Sequence, residues 1–167
     1  MEKIKDLKQL FIYQLNNLYY TKQLQVENLT QLKGKANSSD LNEEINNHLH
    51  ESNHQIDRLN TILTQLNEMP VEGKSPAIEG LIEEEHFLMD ACKGSQLLDS
   101  VIIKSLLEIN HYEIANYNSA CIYATKLGYE EISSILNQSL QEEISMDLHL
   151  NERSKGQINK LALRVEV

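Results

Sequence analysis

The sequence predicts an all-α domain, an antiparallel four-helix bundle with a crossover connection and an extra short helix. Three observations carry that expectation. Apolar residues recur at steps of three and four along four long stretches, the spacing of one helical face. The 2 prolines and 6 glycines fall between these periodic stretches, where they end helices instead of breaking them. At 167 residues and 19.2 kDa the chain is most simply one domain, residues 1–167, long enough to bury a substantial core.

The first helix is expected from about Lys3 to Lys33, with Gly34 as the residue that closes it. Its apolar face is Ile4, Phe11, Leu15, Leu18, Val26 and Leu29, and Lys22 interrupts that face. A lysine there either lifts its ammonium to the rim or carries it to carboxylates on another helix. Leu10 and Leu24, on the far side, are either a contact with another subunit or ordinary exposed leucines. Ser39 and Asp40 begin the second helix, and Asp40 with Glu43 has capping-box spacing. The inner stripe there is Ile45, Leu49, Ser52, Ile56, Leu59, Leu63 and Leu66. His48 lies near the stripe and Glu51 at its edge, while His50 and His54 project toward water.

A loop from about Glu68 to Lys74 leads to Ser75-Pro76-Ala77, an N-cap followed by proline at the first helical position. The short helix, Ala77 to about Cys92, carries Ile78, Leu81, Ile82 and Leu88, with Glu83-Glu84-Glu85 read as a solvated acidic face. The third long helix is expected over about Gln96 to Leu127. Ile102, Leu106, Ile109 and Glu113 share its inner face, Asn110 also projects inward, and His111 falls at the rim. Tyr112, Tyr117 and Tyr123 read as packing residues. Gly128 closes that helix, and the fourth runs from about Glu130 to at least Glu152, with an ambiguous tail to Val167. Leu136, Leu140, Glu143, Asp147 and Leu150 form its inner seam. Two carboxylates on a leucine seam must be paired, protonated or bound to metal.

A formal net charge of −10 argues against a nucleic-acid partner, because phosphate binding needs a basic face. No run approaches the roughly 20 apolar residues of a membrane span, and Met1 to Gln9 lacks the apolar core of a signal peptide. Cys92 and Cys121 have neither CxxC nor ligand spacing and read as two buried free thiols in a reducing compartment. The expectation is a cytoplasmic protein. Each long helix thus carries an inward polar residue near its middle: Lys22; His48 and Glu51; Asn110 and Glu113; Glu143 and Asp147. Several at similar depth suggest one shared polar layer.

The chain resembles the bacterial YciE/YciF family, a stress-associated branch of the ferritin-like proteins. The resemblance runs from Phe11 onwards. It is carried by Ala77-Ile78-Glu79-Gly80-Leu81-Ile82-Glu83-Glu84, His111-Tyr112-Glu113-Ile114-Ala115, Leu127-Gly128-Tyr129, Glu142-Glu143 with Asp147, and His48-Leu49 with Glu51, Gln55 and Arg58. It implies a ferritin-like bundle, often self-associated, here expected as a homodimer, whose carboxylate-rich centre can hold two metal ions. Two departures stand out. Tyr19-Tyr20-Thr21-Lys22 puts lysine where similar sequences carry glutamate, and Asn110-His111-Tyr112-Glu113 replaces an acid by an amide.

A di-iron centre needs hard oxygen ligands, typically four carboxylates. The expectation is therefore a degenerate site. Lys22 replaces metal among Glu51, Glu113, Glu143 and Asp147, with His48 as a weak or vestigial ligand and Asn110 donating hydrogen bonds. On this reading the protein needs no cofactor and acts through structure or a protein partner. One alternative keeps one or two iron ions, or another divalent metal, for oxygen or peroxide chemistry. Another is an acidic helical adaptor that binds through Glu83, Glu84 and Glu85. Hydrolase and nucleotide-binding readings lack both a Gly-rich phosphate loop and a nucleophile elbow.

Overall fold

The computed structural model describes residues 3–71 and 75–156. Among these described residues five helices follow one another: α1 (Leu7–Leu32), α2 (Ser39–Gln65), α3 (Pro76–Ala91), α4 (Leu98–Lys126) and α5 (Glu130–Lys155). The start of α1, the end of α2, the end of α4 and the start of α5 meet in one apolar cluster containing Phe11, Leu15, Leu59, Ile62, Ala120, Ala124 and Leu136. The opposite ends meet in a second cluster of Leu29, Leu32, Leu41, Ile45, Ile102, Leu106, Met146 and Leu150. Hence α1 is antiparallel to α2 and α4 to α5, while α2 and α4 run the same way. The chain must travel back along the bundle between them, and α3 packs against α4 and α1 on that return.

Local chemistry fixes where each helix starts and stops. Asp6, not Lys3, opens α1, because its carboxylate accepts a hydrogen bond from the Gln9 amide at 2.8 Å. The second helix is capped by Ser38, whose side chain accepts from the Leu41 amide, so Asp40 sits inside the first turn and favours the positive helix end. Asp99 of α4 secures the preceding loop by accepting from the backbone amides of Asn37 at 2.6 Å and Ser38 at 2.8 Å. Ser75 occupies the cap position of α3 without bonding to the helix; its hydroxyl lies 2.9 Å from the Tyr112 hydroxyl instead. Gly128 ends α4 with φ +76°, the left-handed turn that Leu127 reaches into. There the Tyr129 amide bonds back to the Ala124 carbonyl at 2.9 Å, a Schellman closure. Gly80, by contrast, lies within α3 with open space around it.

The sequence stripes hold with shifts. Leu49, Ile56 and Leu66 are only half-buried, and Ile62, Gln55 and His48 join Ile45, Ser52, Leu59 and Leu63 as buried residues of α2. Leu10 and Leu24 are half-buried, as are the free thiols of Cys92 and Cys121. The tail beyond Gly156 and residues 72–74 lie outside the described residues. Among the described residues no helix is long and apolar enough to cross a membrane.

A candidate buried ionic centre

Between the two apolar clusters lies a layer of buried polar side chains: Thr21, Lys22 and Gln25 from α1, His48, Ser52 and Gln55 from α2, Asn110 and Glu113 from α4, Ser139 and Glu143 from α5. Each helix reaches this depth near its middle, so the layer is insulated from solvent at both ends. Lys22 is its centre. The ammonium nitrogen is fully buried, 2.6 Å from Glu143 Oε1 and 2.9 Å from Glu113 Oε1, and 6.0 Å from the centroid of the Tyr117 ring. Asn110 Nδ2 donates to the other Glu143 oxygen at 2.6 Å and to the Glu143 carbonyl at 3.1 Å. One carboxylate therefore faces a cation on one oxygen and an amide donor on the other.

The charges follow from these contacts. Burial acts against the Lys22 ammonium, but the adjacent Glu113 and Glu143 outweigh it and hold the lysine protonated. Burial also acts against a charged Glu143. There Lys22 and the hydrogen bonds prevail, and the carboxyl stays below its usual range. Glu113 has the same cation but fewer donors, and burial pushes it up to about 8, reinforced by the Glu143 charge. One lysine thus neutralises one carboxylate, and the second holds a proton near neutral pH. His48 is pushed down to about 4 by burial and is a neutral ring; its Nε2 lies 4.0 Å from Glu143 Oε2. The ligand atoms of His48, Glu113 and Glu143 all lie within 4.8 Å of one another, a spacing at which a cation could be held.

The chain matches the model of the Domain of unknown function (DUF892) over residues 6–163. It belongs to that family. Protein YciF of Escherichia coli is 27% identical over 160 residues, which cover 95% of this chain and 96% of the relative. The crystal structure of the E. coli stress protein YciF superposes with a TM-score of 0.88 at 27% identity, covering 94% of this chain and 99% of that one. YcfI from Rhodopseudomonas palustris gives a TM-score of 0.86 at 30% identity, covering 90% of this chain and 96% of that one. A protein from Xanthomonas campestris pv. campestris shares the fold at a TM-score of 0.70 and 18% identity, covering 89% of this chain and 90% of its own.

Within this DUF892 bundle the expected site residues divide. Lys22, His48, Asn110, Glu113 and Glu143 come together. Glu51 does not join them: it is exposed on α2, one residue and hence about 100° round the helix from the buried Ser52. It faces the open groove between α2 and α5 with Glu142. Asp147 is half-buried at the rim, where its Oδ1 lies 2.6 Å from Nε2 of the exposed His111. The inner seam of α5 passes from Glu143 to Met146, three residues on, and leaves Asp147 beside it. Glu142 is tied to Arg58 Nη1 at 2.6 Å and to Gln55 Nε2 at 3.0 Å, which continues the polar layer outward.

A further buried carboxylate lies under α3. Glu85 is fully buried and accepts from Asn28 Nδ2 at 2.5 Å, so the acidic run is solvated only at Glu83 and Glu84. The signal was in the sequence. Ile78, Ile82 and Glu85 are spaced four and three, which sets Glu85 on the apolar stripe of α3.

Proposed function

We propose that this chain is a ferritin-like, stress-associated protein whose central site is closed by its own lysine, and that it acts as a structural or partner-binding molecule in the cytoplasm. One observation carries the proposal. The buried Lys22 ammonium touches both Glu113 and Glu143, the carboxylates a metal at this depth would require. Kinship with the E. coli stress protein YciF supports the stress-associated part.

The residues do not fit a two-ion centre. Such a centre draws on about four carboxylates, whereas two reach the middle here, one holds a proton near neutral pH, and a fixed positive charge lies between them. Asn110 stands where a further acid would be needed and spends its amide on Glu143.

The test is metal content after purification from iron-supplemented cells. Wild type is expected to carry no iron at the centre, and Lys22→Glu is expected to need a divalent ion for full stability. About two irons per chain in the wild type, the stoichiometry of a di-iron centre, would overturn the proposal.

The convergence of His48, Glu113 and Glu143 supports a second reading, in which one divalent ion binds and Lys22 withdraws. It predicts a single ion per chain that is lost in His48→Ala. An adaptor role would fall to Glu83 and Glu84 alone. Their replacement by glutamine would abolish capture of a partner with stability intact, and size-exclusion chromatography with light scattering tests the homodimer directly.

A further inference from the structure

We propose that His50 and His54 form a two-histidine site for one late first-row divalent ion, Cu2+, Ni2+ or Zn2+, on the outer face of α2. The site is independent of the buried centre and of the functional reading above. The two histidines are four residues apart in the body of a 27-residue helix, so the backbone holds both on one face. Both are exposed, and their Nε2 atoms lie 3.1 Å apart, with ring centroids at 4.5 Å and planes at 84°.

That nitrogen–nitrogen distance is what decides the matter. Two imidazoles bound to one ion at about 2.0–2.1 Å put their nitrogens about 2.9 Å apart at a right angle and about 3.3 Å apart at a tetrahedral one. The observed 3.1 Å falls between. The two nitrogens therefore already stand at the separation that one ion requires, and the entropy of bringing two ligands together is already met by the helix.

In the metal-free chain the same approach is a ring N–H of one histidine directed at the bare nitrogen of the other. Coordination requires both rings as Nδ1–H tautomers, with the bridging proton moved to Nδ1. Imidazole nitrogen suits copper, nickel and zinc, and nothing in the pair favours calcium or magnesium. The surroundings are anionic. His50 lines the α2–α5 groove with Glu43, Glu51 and Glu142, His54 lines the adjoining hollow with Asp57, and the chain carries −10 overall. Water completes the coordination shell.

The experiment is calorimetric titration of the full chain with Zn2+ and Cu2+, together with electron paramagnetic resonance of the Cu2+ form. One ion per chain and a copper spectrum showing two nitrogen ligands are expected. His50→Ala and His54→Ala should each weaken binding at least tenfold. The double change His54→Asp with Asp57→His should do the same, because it keeps both histidines and the net charge but sets the rings seven residues apart. His149→Ala, in the same groove, should leave the affinity unchanged. The proposal is overturned if neither ion binds or if binding survives loss of both histidines; its disappearance in Glu113→Gln would then place the ion at the buried centre. The iron determination described above is best repeated in the His50→Ala/His54→Ala chain, so that surface ions are not counted at the centre.

Discussion

Among the described residues the most deeply buried carboxylates fall in two regions, and each region handles the cost differently. In the central layer Glu113 and Glu143 receive a cation from α1. Beneath α3, Glu85 receives only the amide of Asn28, and its Oε1 has no partner among the described residues. Glu143 accordingly stays ionised, while burial pushes Glu85 up to about 7 despite the Asn28 bond. Burial alone does not set the state of a carboxyl group. What decides is the whole set of partners, and each unit of pKa is worth about 1.4 kcal/mol. Glu143 meets a cation on one oxygen and an amide donor on the other, whereas Glu85 meets one amide and Glu113 shares the cation without enough donors to stay ionised.

The largest expected effect comes from erasing that difference. Lys22→Met leaves Glu143 ionised and buried with no cation, a change that typically costs about 3–5 kcal/mol. Guanidinium denaturation at pH 7 measures it. The loss should shrink at pH 5, where the abandoned Glu143 takes up a proton beside Glu113, which is already protonated at pH 7. A variant that melts like wild type at pH 7 would mean that the lysine charge is not what holds the centre together.

How much of this could be read from the chain follows the same division. Lys22, Asn110, Glu113 and Glu143 were legible because each interrupts a leucine or isoleucine stripe, and a charged residue on such a stripe must find a partner. Glu51 and Asp147 were not separable from them. A helix advances about 100° per residue, so a face traced in steps of four and three drifts, and a position at the edge turns in or out according to a neighbour. On α2 the neighbour Ser52 turned in, and on α5 Met146 did. Glu85 was hidden by company: next to Glu83 and Glu84 it looked solvated, although its register with Ile78 placed it inward. Asn28 gave no warning, because it lies beside the traced stripe of α1 and carries no charge. The bundle itself was plain, since long periodic stretches and terminal glycines specify helices before any packing is known.

The neutral-donor region should reveal itself through pH. Glu85 binds its proton more tightly folded than unfolded, so the folded chain holds more protons between the ordinary carboxylate range and pH 7. Stability therefore falls as pH rises through that window. Glu113, raised to about 8, acts in the same sense up to that pH. His48, lowered to about 4, acts oppositely: its contribution is present above the ordinary histidine range and is lost as pH falls toward 4. The two trends cancel in part on the acid side, and above pH 6.5 or so the carboxyls alone remain. Wild type should thus lose stability from about pH 6.5 to pH 8. Glu85→Gln keeps a carbonyl for Asn28 and removes the buried charge, so it should be more stable than wild type at pH 8, by about 1–3 kcal/mol, and nearly equal at pH 5. Chemical denaturation at the two pH values gives both numbers.

The smallest effect separates contact from field. Lys104 on α4 bonds to Glu108 at 2.6 Å and lies 3.3 Å from Glu84, with 42% of its side chain exposed. Glu85 feels its charge, along with that of Lys35, only at a distance. Exposed pairs of this kind contribute little, so Lys104→Ala should change stability by no more than about 0.5 kcal/mol. The Glu85 titration, followed by carbon NMR of its carboxyl, should nevertheless move upward, because one of the two charges that favour its ionised form has gone. Lys22→Met acts on the central pair through direct contact and should unfold the chain far more readily. A Lys104 variant that cost as much would mean that Glu85 depends on a cation after all, and the contrast between the two regions would be one of distance instead of kind.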